Sequence, residues 1–277
     1  DFSISRENKQ LSWGISVPGD DTQVMYVWFD ALTNYISTLG WPDDTKGYFK
    51  KYWEEGKTLQ MAGKDQVRFQ SLMWQAMLMS ANIKTTDTIF YHGFINSGGQ
   101  KMSKSIGNVI NPYELVKKYG TDATRYILLR HMNPTEDSDV TRERLDEWYT
   151  ANLTNGLGNL VARVMKLSSQ YLDETPKIPD LKEITPETQK HIDAFEFNLA
   201  MDHLWHWMQT LDELIQEQKT FDVVKTDKIA GQKQLIYLLT QLAKIALLLE
   251  PFMPDTSKKI LTAVRENKKP ENLFPRL

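Results

Sequence analysis

The chain of 277 residues is long enough for one large domain or two ordinary ones at about 150 residues each, and with 41% hydrophobic and 25% charged residues it falls among soluble globular sequences. A net charge of −3 argues against holding nucleic acid through a general basic field, and the lack of cysteine excludes disulfides, thiolate zinc sites and a cysteine nucleophile. No apolar run approaches the roughly 18 residues of a membrane span and residues 1–10 hold no apolar signal core, so a cytoplasmic protein with no membrane partner is expected.

Two runs dense in β-branched and aromatic residues, VMYVWF at residues 24–29 and TIFYHGF at residues 88–94, predict buried strands. Between them, Val67, Phe69, Leu72, Met73, Ala76, Met77, Leu78 and Ala81 follow a nearly helical period. Strand, helix, strand implies a parallel pair. From about Asp146 the texture becomes all-helical. Leu153, Leu157, Leu160, Val161, Val164 and Leu167 form one apolar stripe, and Leu235, Leu238, Leu239, Leu242, Ile245, Ala246 and Leu249 another. Thr185-Pro186-Glu187 reads as a helix cap with proline at the first helical position.

The most informative segment is SGGQKMSKSIGN, Ser97 to Asn108. Its glycines permit unusual backbone angles, and Lys101 and Lys104 supply mobile ammonium groups with hydroxyls between them. Such a loop suits the charge of a polyphosphate leaving group. It is not a P-loop, because GxxxxGK[ST] is absent.

Lys101-Met102-Ser103-Lys104-Ser105 is the signature pentapeptide of class I aminoacyl-tRNA synthetases. Together with WGISVP at residues 13–18, YVWFDA at residues 26–31, Tyr35, Gly63-Lys64-Asp65 and Trp74, it makes the chain similar to the methionyl family of that class over essentially its whole length. The resemblance implies an α/β plus all-α fold. A partial parallel-sheet, Rossmann-like catalytic domain would occupy residues 1–107, a stem-contact region residues 108–145, and an α-helical anticodon-binding bundle residues 146–277. The family's His-x-Gly-His signature and its cysteine-bearing zinc insertion are missing from the sequence. The resemblance therefore implies part of a longer enzyme, without zinc in this segment and inactive by itself.

The implied reaction joins methionine to ATP, with Mg2+, as methionyl-adenylate and then transfers methionine to tRNA(Met). By the same resemblance Lys101, Ser103 and Lys104 would hold the phosphates, the two lysines being the catalytic pair. Gly63 would let nucleotide approach the backbone, Asp65 would contact the ribose or the α-amino group, and His92-Gly93 would lie beside the adenine. Trp28, Ala31, Tyr35, Gln70 and Trp74 match the methionine pocket, and a thioether against ring edges is favoured by roughly 0.3–1.5 kcal/mol. Gln70 stands where many family members have histidine, Gln66 where they have an aliphatic residue, and Leu32 where some have proline. Asn159 and Arg163, at i and i+4, share a helix face and would read the CAU anticodon. Phe221 takes the place of a stacking tryptophan. Two other readings stay open: a tRNA-binding module without catalysis, and a class I synthetase for leucine, isoleucine or valine, which WGISVP, YVWFDA and the pocket aromatics weigh against.

Overall fold

A computed structural model describes residues 4–103, 105–177 and 186–277, so Lys104 and Thr185 lie outside the described residues. The chain divides into two compact units, Asp1–Phe94 and Ile95–Leu277, and each has an apolar core of its own.

The first unit opens with an antiparallel sheet of three strands, β1 (Ser5–Glu7), β2 (Ser16–Val17) and β3 (Asp20–Met25), in the order β1-β3-β2. Here the structure corrects the sequence reading. Residues 24–29 are not one strand, because β3 ends at Met25 and Val27–Ala31 is helical. β-branched and aromatic residues suit either state, and tertiary packing decides between them. The helical turn puts Trp28, Leu32, Tyr35 and Ile36 on one side, and Leu32 and Ile36 enter the core with Phe49, Trp53, Met73, Trp74 and Leu78.

The expected strand, helix, strand unit is present, but it begins at β4 (Leu59–Gly63), which pairs in parallel with β5 (Thr88–His92). The crossover runs through Arg68–Trp74, in wide π-type turns, and Gln75–Ser80. At the start of both strands the Asp87 carboxylate accepts from the Lys84 ammonium at 2.8 Å, and from the Thr58 backbone N–H at 2.8 Å and its hydroxyl at 2.9 Å. These donors, Lys84 first, hold the Asp87 carboxyl down to about 2.

The second unit starts with β6 (Ile95–Ser97) and β7 (Gln100–Lys101), an antiparallel hairpin, with β8 (Ser138–Asp139) parallel to β6 on its other side. Helices follow. Asn111 caps Pro112–Tyr119 by accepting from the Tyr113 N–H, and Thr141 caps Arg142–Trp148 by accepting from the Arg144 N–H. After Arg142–Trp148 the helix continues through wide π-type turns at Tyr149–Gly158 into Asn159–Tyr171. Pro186–Asp193, Phe197–Glu217, Thr220–Thr226, Lys228–Leu249 and Pro254–Glu266 complete the bundle. Both predicted stripes enter its core, with only Leu167 left half-buried at the margin.

Candidate functional site

Three of the predicted amino-acid-pocket residues come together in the first unit. Gln70 is 3% exposed and its Nε2 donates to the Tyr35 hydroxyl at 2.8 Å. The Tyr35 ring tilts against Trp74 with centroids 5.9 Å apart, and Trp74 meets Trp53 edge-on at 6.0 Å. Trp28 joins through Phe69, the neighbour of Gln70 in sequence, on which it stacks at 4.7 Å. Ala31 is exposed at the end of its helix. Buried among these groups, Gln70 Oε1 and Trp74 Nε1 have no hydrogen-bond partner. Each such orphan costs about 1–3 kcal/mol unless something satisfies it. Trp74 also lines an apolar cavity of about 460 Å³ with Phe29, Ile36, Trp41, Met73 and Met77, whose walls include neither Tyr35 nor Gln70.

The candidate nucleotide residues of this unit cluster where β4 and β5 end, with Gly63 opposite His92 in register. A Cβ placed on Gly63 would lie 2.7 Å from Asp65 Oδ1 and 3.8 Å from His92 Cε1. Glycine at 63 therefore lets the Asp65 carboxylate approach the backbone at the strand ends, the place where open α/β sheets receive ligands. His92 Nδ1 lies 2.9 Å from the Gly93 carbonyl oxygen, Asp65 is exposed and Gly93 is buried.

The loop of the second unit is built more firmly than its composition suggests. Gly98 and Gly99 turn the hairpin with φ of 64° and 73°, and the Gly99 N–H donates to Asp139 Oδ1 at 2.7 Å. Asn108 then ties the far end back. Its Oδ1 accepts from the Ser103 N–H at 2.8 Å, and its Nδ2 donates to the carbonyls of Ser97 and Lys101, both at 3.3 Å. The Ser103 and Ser105 hydroxyls are 2.7 Å apart. Lys101 is exposed on this frame. Sequence reasoning quoted Asn108 without giving it a role and passed over Asp139. An asparagine just past a glycine is a local signal for such a tie, whereas Asp139 arrives from a distant strand.

Asn159 and Arg163 lie one turn apart on Asn159–Tyr171, as their spacing requires. Asn159 is exposed, while the Arg163 guanidinium forms an ion pair with Asp212 of Phe197–Glu217. Burial lowers the Arg163 pKa from its ordinary value. Phe221 is 38% exposed near the start of Thr220–Thr226, a separate helix. Asp212 had no sequence signal, because its partner is remote in the chain. Among the described residues no cluster of three or more His, Asp or Glu side chains is spaced to hold a metal ion, and no helix is long and apolar enough to cross a membrane.

Residues 1–165 match the family described as tRNA synthetases class I (M), and residues 168–274 match the anticodon binding domain of methionyl tRNA ligase. The chain belongs to the class I tRNA synthetases, in their methionyl family. It is 37% identical to the methionine–tRNA ligase of Fusobacterium nucleatum, over 99% of this chain and 45% of that protein. It is 35% identical to the methionine–tRNA ligase of Rickettsia typhi, over 100% of this chain and 56% of the other. The crystal structure of Mycobacterium tuberculosis methionyl-tRNA synthetase bound by methionyl-adenylate superposes with a TM-score of 0.79 and 31% identity, covering 99% of this chain and 59% of that one. The chain thus spans about half the length of the curated relatives it matches. The expected family and the α/β plus all-α architecture are both met.

Proposed function

We propose that this chain is the part of a methionine–tRNA ligase that carries the amino-acid pocket, the lysine-bearing phosphate loop and the anticodon-reading bundle. The observation that carries the reading is the cluster of Tyr35, Gln70 and Trp74. It combines aromatic rings suited to a thioether with one buried acceptor and one buried donor left open for the polar end of an amino acid. Trp28 and Ala31 would border it. In a relative of matching fold, methionyl-adenylate is the bound molecule.

In this reading Gly63, Asp65, His92 and Gly93 receive the nucleoside of ATP, and Lys101, Ser103 and Lys104 receive its phosphates. The close approach of Gly63 to Asp65 and His92 at the strand ends supports this. ATP supplies the activated phosphorus; Mg2+ would offset the charge of its phosphates, and among the described residues no cluster is spaced to hold it. The protein's own part is to hold methionine in a dry aromatic pocket and to bring lysine charge onto the leaving pyrophosphate. Charge that arrives as the loop closes favours the transition state over the ground state. Asn159, Arg163 and Phe221 would meet the anticodon of tRNA(Met). Residues 1–107, 108–145 and 146–277 would act as catalytic half, stem-contact region and anticodon bundle, in the cytoplasm.

Two measurements on the 277-residue chain test this: binding of a tRNA(Met) anticodon stem-loop, and amino-acid-dependent pyrophosphate exchange. Stem-loop binding is expected without exchange, and methionine-dependent exchange is expected once a polypeptide bearing the family's His-x-Gly-His half is added. Exchange driven by leucine, isoleucine or valine would overturn the methionine assignment. Stem-loop binding with no exchange even after that addition would favour an RNA-binding module.

A further inference from the structure

A groove of about 480 Å³ in the second unit runs between two helical ladders, with Asn152 and Asn155 on one wall and Trp205, Gln209 and Asp212 on the other. Asn159 and Arg163 follow on the same rod, one turn apart on Asn159–Tyr171. Two carboxylates, Asp202 and Asp212, line this groove. Each is answered by one arginine, and the two arginines differ.

Arg130 uses its donors within the protein. Its Nε donates to Asp202 at 2.8 Å, its Nη1 to the Tyr126 hydroxyl at 2.8 Å and to Asn152 Oδ1 at 3.3 Å, and its guanidinium lies 4.8 Å from the Trp205 ring centroid. Arg163 is held at one corner only. Its Nη2 pairs with Asp212, and its Nε is buried with no partner. The donors of Nη1 are left over, on a side chain one third exposed.

We propose that Asp212 is a positioning residue that turns Arg163 from a mobile cation into an oriented donor for one base edge. The inference rests on the proposed meeting of Arg163 with the anticodon. A guanidinium is a rigid planar fork, so a carboxylate on one corner fixes where the others point. Ordering it in advance removes part of the entropy cost of binding. The carboxylate also cancels charge that would otherwise attract any phosphate regardless of sequence. What remains is a directed N–H, which suits a carbonyl or ring-nitrogen acceptor on an unstacked base of a single-stranded loop.

The test uses the 277-residue chain with Asp212→Ala, Asp212→Asn, Arg163→Ala and the Asp212→Ala/Arg163→Ala double variant. Fluorescence anisotropy would measure binding to a CAU stem-loop and to one with the first anticodon base changed, at two salt concentrations. Asp212→Ala is expected to lower discrimination between the loops about tenfold and to steepen the salt slope by about one as the freed cation finds phosphate. Asp212→Asn, which keeps an acceptor and the shape, should retain part of the discrimination and guards against a folding defect. In the Arg163→Ala background, losing Asp212 should change nothing further. Unaltered discrimination and salt slope in Asp212→Ala, with discrimination lost in Arg163→Ala, would overturn the positioning role alone. Full discrimination in Arg163→Ala would overturn the anticodon reading of Arg163 and the role of Asp212 with it.

Discussion

Gln70 shows how one side chain can hold a pocket together. Its donor end is occupied by Tyr35 and its acceptor end is buried and open. Gln70→Leu would remove both ends at similar volume and leave the tyrosine hydroxyl without its donor. Methionine affinity measured by calorimetry is expected to fall about tenfold, the worth of one such hydrogen bond in a buried site, with little loss of global stability. An unchanged affinity would place the ligand elsewhere. The pH response also belongs at this scale. His131 stacks on Trp148 at 4.2 Å, and burial first, then Arg130, pushes its pKa down to about 4 despite the opposing Asp202. In the unfolded chain it titrates near 6.5. Its neutral form therefore supports the fold fully above about pH 6.5, and the support is lost as pH falls toward 4. Because the ring is only partly buried, the loss should stay below the full-linkage figure of about 1.4 kcal/mol per pH unit. Urea midpoints of wild type and His131→Asn, followed from about pH 7 to about pH 4.5, should show a flatter profile for the variant; parallel profiles would remove His131 from the response. Of these residues Tyr35, Gln70 and Trp74, which the fold brings together, were legible through the resemblance to short family patterns, Gln70 as a departure from them. Asp139 and Asp212 were not, since each acts on a partner that only the fold brings near, whereas Asn108 carried a local signal and was passed over.

Among the elements, the helices Thr220–Thr226 and Lys228–Leu249 come closest where Gly231 faces Val224. A Cβ on Gly231 would lie 2.5 Å from Val224 Cα and 2.9 Å from its nitrogen. Gly231→Ala gains up to about 1 kcal/mol of helix propensity, yet the overlap with backbone atoms forces the helices apart. A net destabilisation of about 1–3 kcal/mol by chemical denaturation is expected, and a stability equal to wild type would show that the helices part freely. The bundle was readable from sequence because an apolar stripe is a local, periodic signal, and Leu235 to Leu249 kept its period over four turns. The first unit was harder. LQMAG at residues 59–63 forms a strand although it holds no β-branched or aromatic residue, and VWFDA at residues 27–31 forms a helix although it is rich in them. In Leu59–Gly63 the parallel ladder to β5 overrides intrinsic preference.

For the whole molecule, the parallel pair β4–β5 is the feature that stands out. Parallel strands are ordinarily covered on both faces. Here Gln60 is 5% exposed on one face, whereas Leu59 and Met61 on the other are 46% and 55% exposed. An apolar strand face left in water invites pairing with other chains. Light scattering of the 277-residue chain should therefore show concentration-dependent self-association, and Met61→Glu should reduce it; equal scattering from both would exonerate this face.

The wide turns at Tyr149–Gly158 have a consequence of phase. They join Arg142–Trp148 to Asn159–Tyr171 as one continuous rod, in whose α-helical parts each residue advances the side-chain direction by about 100° and in whose wide i→i+5 turns it advances it by less. The compass bearing of Asn159 and Arg163 is thus set by how many residues the wide stretch contains and how loosely it is wound. A change of one residue there would swing the face that carries Asn159 and Arg163 toward a different neighbour without altering either side chain. The number of residues in this stretch is therefore part of what aims Arg163 at Asp212.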